Sequence, residues 1–307
     1  MTTPGWFDDL PVLGKLPPDQ AAAKLREVGE DDAAAALEMV PESATRTFGT
    51  PKWWPFQDKP WQHTAHAFGY LAPAAPGDAM LRIRHAGNIA ADLSLKNSRI
   101  KITLDRLRAA AYPGGGTHRV LFDFYAQNEV QGGVEHLHFN ATYRVREGEQ
   151  AAVLGFPIFV GLNVGSEGVA FKCFTVNVQN DEDEAFLGFL ESDVFKAGLK
   201  LASTVQPVIA PFSAMALSLT KSIATRHRNV PVQDFYMGLD FSAIAMRARL
   251  AEGSYLAVQI PETLQTVWDW SEWIYNPVNG QVVNKTEPTQ LIPYNYLVYS
   301  VSRYDGP

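Results

Sequence analysis

The sequence predicts an α+β fold in which strands dominate: an antiparallel β-sandwich with a helical insertion at 180–229 and an N-terminal helical hairpin at 1–44. Three observations lead to this fold class. Apolar and polar residues alternate with a period of two in many segments after residue 77, as in strands that bury one face. Glycine-containing turns separate these segments. Helical periodicity is confined to the hairpin and the insertion.

The N-terminal hairpin has the pattern of two short helices. Asp19 is placed to begin a helix through Val28, and Gly29 suits the left-handed position that follows a helix. Asp31 can begin a second helix, which Pro41 ends. The apolar face of the hairpin is mostly alanine, so it buries little surface by itself. We therefore expect it to dock on the main body or on another protein.

A linker strap is expected over residues 45–76, where prolines occupy positions 51, 55, 60, 73 and 76. Prolines at this density disfavour a long helix or an inner strand. The large aromatic residues of the segment are Trp53, Trp54, Phe56 and Trp61. We expect an extended segment whose indoles lie on the surface of the main domain.

The main domain is predicted to span residues 77–307, and its clearest strand lies at 136–146. There His136, His138, Asn140, Thr142, Arg144 and Arg146 alternate with apolar residues. This pattern predicts one face in water and one in the core. Further strands are predicted at 153–164, 169–178, 233–241, 254–260 and 294–302, which are rich in Val, Ile, Phe and Tyr.

The helical insertion begins at Asn180, which can cap a helix with an acidic first turn. Pro207 and Pro211 interrupt the pattern. One apolar stripe is then predicted to face the sheet: Val208, Phe212, Met215, Leu219 and Ile223. Ser213, Ser218, Lys221, Ser222 and Thr225 are predicted to lie away from that stripe. The insertion is expected to cover the sheet.

A membrane role is the alternative for part of this insertion. The uncharged span 201–219 approaches the roughly 20 residues that cross a bilayer. Gln206, two prolines and several hydroxyl side chains dilute its hydrophobicity, which favours packing on the sheet. A latent membrane-binding or pore-forming segment at 199–225 stays open.

Composition narrows the classes of partner. The chain has 33 acidic and 26 basic residues and a formal charge of -7, so nonspecific attraction to nucleic acid phosphates is not expected. Cys173 is the single cysteine, which excludes an internal disulfide and fits a reducing compartment. The first residues lack the basic and apolar pattern of a secretion signal. We predict a cytoplasmic protein.

The histidines do not form a metal motif in the sequence. His136 and His138 share one strand face, but Thr142 stands where a cupin-type pattern places an acid. His63 and His66 lack the glutamate of a metalloprotease helix. Surface or packing histidines are the favoured interpretation, because metal sites need three or four convergent ligands. No metal, no cofactor and no catalytic set are predicted.

The remaining motifs also have structural explanations. The glycines at 161–168 lack the Gly-Lys-Ser/Thr ending of a phosphate loop and are expected to form a turn. The acidic residues at 180–184 lack the spacing of an EF-hand loop. Cys173 alternates with Phe171 and Thr175, as a buried strand residue does.

An aromatic cluster is the feature most suggestive of binding. Its members are Trp268, Trp270, Trp273 and Tyr275. Trp268 and Trp270 share a face if the segment is extended, as in platforms that stack on sugars or peptides, whereas Trp270 and Trp273 approach each other if it is helical. Packing that closes the domain is the structural alternative. The cluster is our candidate ligand- or partner-binding site.

Three functional hypotheses follow. The first is a nonenzymatic interaction or structural protein, in which a sandwich body uses the helical arm or the aromatic rim to bind a protein partner or a second copy. The second is a hydrolase or metal-dependent enzyme around His136 and His138, with Asp123 and Asp240 as further candidates. The third is membrane binding through 199–225.

Overall fold

The computed structural model describes residues 6–39, 59–75, 79–151, 153–183, 187–188, 199–201, 209–242 and 248–306. Strand makes up 44% and helix 23% of the structure, so the β-dominated class is confirmed. In the described part of the chain the helices are α1 (Pro18–Glu27), α2 (Asp31–Glu38) and α3 (Ile209–Ala224). Trp53, Trp54 and Phe56, like the predicted helix segment 189–198, lie outside the described residues.

The strands of the described residues form sheets of eight, five and three strands. In chain order they are β1 (Ala65–Leu71), β2 (Leu81–Arg82), β3 (Arg84–His85), β4 (Arg99–Arg108), β5 (Thr117–Val130), β6 (Gly133–Arg146), β7 (Gln150–Ala151), β8 (Phe156–Asn163), β9 (Gly168–Val178), β10 (Leu199–Lys200), β11 (Asn229–Asp240), β12 (Ala248–Arg249), β13 (Gly253–Ile260), β14 (Trp273–Asn276), β15 (Gln281–Asn284) and β16 (Tyr296–Arg303). The predicted strands in the second half therefore all form.

The eight-stranded sheet runs in the order β10-β8-β4-β16-β13-β1-β3, with β7 beside β4. The five-stranded sheet has the order β12-β11-β9-β5-β6, and the three-stranded sheet the order β15-β14-β2. The pairings are antiparallel except the two-residue pairs of β10 with β8 and of β12 with β11. The insertion lies between β9 and β11, as predicted.

Strand β1 lies within the predicted linker strap at 45–76 and belongs to the eight-stranded sheet. This strand pairs with β13 along its whole length and with β3 at Gly69 and Tyr70. The prolines that suggested a strap lie before residue 61 or after residue 72, and the stretch between them can form ladder hydrogen bonds. The sheet domain therefore begins at or before Ala65.

Alternate residues of the eight-stranded sheet enter two different cores. On β13, Tyr255 and Ala257 belong to the first core, which also contains the five-stranded sheet, while Leu256 and Val258 belong to the second. The second core lies against the three-stranded sheet and the aromatic loop before it. Both faces of this sheet are therefore buried, which explains its nearly continuous apolar strands.

The N-terminal hairpin docks on the main body, one of the two outcomes expected from its sequence. Ala22, Leu25 and Ala34 are fully buried in the first core. Just before the hairpin, Phe7 stacks on Phe174 of β9 at 4.3 Å between ring centroids. Gly29 adopts the predicted left-handed conformation, with φ of 78°. The arm is thus not a separate unit, because the core of the five-stranded sheet includes it.

Helix α3 forms as predicted, and Phe212, Leu219 and Ile223 of the predicted stripe pack on the core, but the buried face is shifted from the expected one. Ser213 and Thr220, two hydroxyl residues, are buried against the five-stranded sheet, whereas Met215 is 42% exposed. The helix is rotated because polar side chains on the sheet bind those hydroxyl groups, as described below. The predicted water-facing side of β6 is correspondingly wrong for His138 and Asn140, which are buried.

The buried hairpin leads to a first prediction. Replacing Leu25 with Ala should lower the free energy of unfolding by about 2–5 kcal/mol, because it leaves a cavity in the first core. The matched change Leu93→Ala, at an exposed leucine, should stay within about 0.5 kcal/mol. Urea unfolding of both variants measures the difference. Equal small effects would contradict the integration of the hairpin into the core.

A second prediction concerns His66 of β1, whose ring packs on Phe235 of β11 at 4.9 Å. Burial lowers the pKa of His66 from 6.5 to about 4. As the pH falls through 6.5, the unfolded chain binds a proton at His66 that the folded chain does not bind. The free energy of unfolding should therefore fall by about 3 kcal/mol between pH 7 and pH 4 from this residue alone.

The measurement compares urea unfolding of the wild type and of His66→Gln at neutral and acidic pH. Other titrating groups act on both proteins, so the difference between the two pH profiles isolates His66. A variant that loses as much stability on acidification as the wild type does would refute the assignment.

Candidate functional site

The structure brings together the four predicted aromatic residues Trp268, Trp270, Trp273 and Tyr275. Trp268 meets Trp270 edge to face at 5.5 Å, and its ring lies parallel to that of Trp273 at 6.2 Å and 4°. The segment is neither a continuous helix nor a continuous strand. A 3₁₀ turn at Trp270–Glu272 leads directly into β14.

A short-range capping interaction shapes this turn. Asp269 accepts hydrogen bonds from the backbone N–H and the hydroxyl group of Ser271, both at 2.8 Å. The backbone hydrogen bond, more than the hydroxyl bond, lowers the pKa of Asp269. Aspartate is one of the residue types that favour such local turns. The cap therefore turns the chain between Trp268 and Trp273.

Burial divides the cluster into two pairs. Trp270 and Tyr275 are buried in the second core, and the Trp270 ring lies directly on Gly69 of β1. A Cβ at Gly69 would lie 2.7 Å from Cγ2 of Ile83 and 3.0 Å from Cζ2 of Trp270, so glycine leaves room for the indole here. Trp268 and Trp273 are partly exposed. The buried pair anchors the segment, and the other pair is available at the surface.

Two further residues belong to this surface and were missed in the sequence. Tyr294 meets Trp268 edge to face at 5.8 Å, although it precedes a different strand. Val267 is 68% exposed. We call Val267, Trp268, Trp273 and Tyr294 the aromatic surface. An isolated tyrosine gives no local signal that it will join a loop some 26 residues earlier in the chain.

The histidine candidates lie on the outer side of the five-stranded sheet, where they form two separate pairs. His138 Nδ1 lies 2.8 Å from Oδ1 of Asp123, and His136 Nδ1 lies 2.7 Å from the hydroxyl group of Tyr125. Asp240 lies far from the pair of His138 and Asp123. On β9 it is opposite Gly168, whereas Asp123 is opposite Phe174, six residues further along the strand. Only His138 and Asp123 of the four candidates are brought together.

A buried polar network links this pair to helix α3. Thr220 donates to Oδ2 of Asp123 at 3.2 Å, and Asn140 donates to the same oxygen at 3.1 Å. Asn140 also donates to the Thr220 hydroxyl group at 2.6 Å. About two turns earlier along the helix, the hydroxyl group of Ser213 accepts a hydrogen bond from the backbone N–H of His138 at 3.1 Å. These contacts determine which face of α3 meets the sheet.

Aromatic side chains from the N-terminal segment cover the His138 ring. Trp6 stacks over it at 6.4 Å and Phe7 meets it edge-on at 6.1 Å, leaving the residue 3% exposed. Lys172 places its ammonium group 4.8 Å from the Trp6 ring centroid. The pair is therefore enclosed by the fold.

The candidate metal ligands, Cys173 and the glycine-rich turn do not form a reactive site in the described residues. Among the residues that the structure describes, no group of three His, Cys, Asp or Glu side chains is placed to hold a metal ion. Cys173 is buried, and burial raises the pKa of its thiol well above the usual value, which opposes formation of a thiolate. The turn predicted from the glycines connects β8 to β9 at residues 164–167.

Comparison of the chain with protein-family models, curated proteins and solved structures finds no match.

The α3 network gives a third prediction. Ser213→Ala should lower the free energy of unfolding by about 1–3 kcal/mol, since it leaves the buried N–H of His138 without its acceptor. Ser218→Ala makes the same chemical change on the exposed side of the same helix and should stay within about 0.5 kcal/mol. Chemical denaturation tests both. A larger effect at Ser218 would overturn the orientation of α3 described above.

Proposed function

We propose that the chain is a nonenzymatic interaction protein whose rigid β-sandwich body presents the aromatic surface to a partner. The observation that supports this most directly is the pair of parallel, partly exposed indoles of Trp268 and Trp273 beside exposed Val267. Tryptophan and tyrosine are the residue types that dominate binding energy in protein interfaces. Their large rings offer contact area with few rotatable bonds.

The sandwich arrangement is part of this proposal. Phe171 of β9 meets Tyr299 of β16 edge to face at 4.9 Å, and the Tyr299 hydroxyl group lies 2.7 Å from the sulfur of Met237. These side chains join the five-stranded sheet to the eight-stranded sheet. Interdigitating rings between the facing sides of two sheets are typical of sandwich cores.

The helical arm is a weaker candidate for partner binding than the aromatic surface. Its leucines and alanines are already buried in the first core, so they would have to leave the sheet to contact a partner. The aromatic surface needs no such rearrangement.

The partner we propose is another protein or a second copy of this chain. Asp269 and Glu272 are exposed beside the indoles and would lie at the rim of such an interface. A cytosolic location is also proposed. It is supported by a single, buried cysteine and no cysteine pair.

The two alternative functions have narrower support. Hydrolysis is motivated by the oriented Asp123–His138 pair, but a substrate would reach His138 only if Trp6 and Phe7 moved away from its ring. Ester turnover that disappears in His138→Gln would favour hydrolysis.

For the membrane hypothesis, no helix among the described residues is long and apolar enough to cross a membrane. The part of that segment at 202–208 lies outside the described residues.

The aromatic surface supplies the fourth prediction. Peptides selected from a displayed library on the wild-type protein should bind Trp268→Ala and Trp273→Ala more than about tenfold more weakly, because truncating an interface anchor costs at least about 2 kcal/mol. Fluorescence anisotropy of the selected peptides measures the affinities. Sedimentation equilibrium of the same variants tests whether a second copy is the partner.

Tyr236→Ala is the matched control. Tyr236 is 58% exposed and lies on β11, in a different sheet from the indoles. It should leave the selected peptides and any self-association unchanged. The proposed surface would be excluded if both tryptophan variants unfold at the wild-type temperature and keep the wild-type peptide affinity and self-association.

A further inference from the structure

Two arginines on β4, Arg106 and Arg108, form no ion pair with a carboxylate in the described ranges of the chain. Arg106 lies opposite Val298 and Arg108 opposite Tyr296 of β16. Val298 and Tyr296 belong to the second core, so both guanidinium groups lie on the face toward the three-stranded sheet. Arg108 is only 7% exposed, while Arg106 is partly exposed. Arg106 is therefore the member of the pair nearer to solvent.

The hydrogen-bond acceptors of both arginines are neutral. Arg106 Nη1 donates to the carbonyl groups of Asp105 at 3.0 Å and Val153 at 2.8 Å. Arg108 Nη1 donates to the carbonyl group of Gly148 at 2.6 Å. Nε of Arg108 is buried and has no hydrogen-bond partner in the described parts of the chain.

The acidic side chain that precedes Arg106 in the sequence already accepts other hydrogen bonds. Asp105, at a β-bulge next to Arg106, accepts hydrogen bonds from the hydroxyl groups of Thr103 and Ser300. Neither arginine takes part in an ion pair within the described ranges. By contrast, Arg226 pairs with buried Asp183.

Arg99, on the same strand, shows how this fold satisfies an arginine without a carboxylate. Its three guanidinium nitrogens donate to the carbonyl groups of Gly161, Leu201 and Gly306. The ring of Tyr304 covers its charge at 5.0 Å. Arg108 has one such acceptor and an unused Nε–H, so its environment is incomplete.

The phenol group of Tyr275 lies in the same core: Tyr275 pairs with Val282, whose backbone N–H donates to the hydroxyl group of Tyr296, the residue opposite Arg108. Burial raises the pKa of Tyr275, and the charge of Arg106 opposes that rise. The Tyr275 hydroxyl group therefore stays neutral and can donate a hydrogen bond. Two guanidinium groups and a phenol form a donor set suited to an oxyanion.

We propose that Arg106, Arg108 and Tyr275 form a binding site for a small oxyanion, either a phosphate or a carboxylate group. The site is independent of the proposed partner binding, because it lies beneath the three-stranded sheet and not on the aromatic surface. A bound oxyanion would neutralise the two adjacent like charges and give Nε of Arg108 an acceptor. A buried charge without a partner is strongly unfavourable.

Thermal unfolding of the full chain in inorganic phosphate, in acetate and in chloride at equal ionic strength tests the proposal. The wild type should show a saturable rise in Tm in phosphate or acetate above its Tm in chloride, because ligands of the folded state stabilise it by mass action. The salt that gives the rise shows whether the site binds a phosphate or a carboxylate group. Equal Tm values in all three salts would overturn the site.

Arg108→Met separates a binding role from a structural one. If Arg108 is a buried charge that binds an anion, the variant should have a higher Tm than the wild type in chloride, and its Tm should not rise in phosphate or acetate. If Arg108 only holds the Gly148 turn, the variant should have a lower Tm in every salt, and that result would overturn the proposal. Arg84→Met, at an exposed arginine of β3, is the control and should keep the full anion response.

Arg108→Lys provides a second test that keeps the charge. Lysine cannot offer the planar set of donors, so the apparent affinity for the effective anion should fall about tenfold. Isothermal titration calorimetry with the wild type and this variant measures the ratio. Equal affinities would indicate general charge screening and reject a formed site.

Discussion

Both faces of the eight-stranded sheet are apolar, and the rest of the structure is arranged to cover them. Leu297 and Tyr299 of β16 enter one core, while Tyr296 and Val298 enter the other. Apolar surface exposed on either side would cost roughly 25 cal/mol for each Å² left in water. The five-stranded sheet covers the first face. The three-stranded sheet, with Tyr275, covers part of the second face, and Trp270 from the turn before β14 adds to that cover.

On the outer side of the five-stranded sheet, specificity comes from polar contacts and not from apolar area. A helix of alanine, leucine and serine could pack on a sheet in several rotations at similar cost. Asp123 and Asn140 distinguish these rotations, because a buried carboxyl or amide group without hydrogen bonds is unfavourable. In the observed orientation, Thr220 donates to the carboxylate of Asp123 and accepts a hydrogen bond from the amide nitrogen of Asn140. The network thus explains why Ser213, and not Met215, is buried.

The sequence was sufficient where the signal is local. The positions of the later strands, the left-handed glycine at 29 and the turn between β8 and β9 all follow from neighbouring residues, and they appear where expected. The face of α3 could not be found this way, since the contact of Thr220 with Asp123 spans 97 residues. Likewise, β1 is an inner strand because of β13, almost 190 residues later. The three tryptophans at 268, 270 and 273 could be identified as a cluster in the sequence. The contact with Tyr294 and the burial of Trp270 could not, because they depend on tertiary packing.

That burial also bears on how the exposed indoles could bind. Ordering a mobile surface loop on association consumes binding free energy, and each immobilised side chain adds about 0.5–1.5 kcal/mol. Here Trp270 is fixed against Gly69, Tyr275 is fixed in the second core, and the Asp269 cap holds the turn between them. Trp268 and Trp273 are therefore presented on a backbone that is already ordered. More of the contact energy of the two rings would then remain as affinity for a partner.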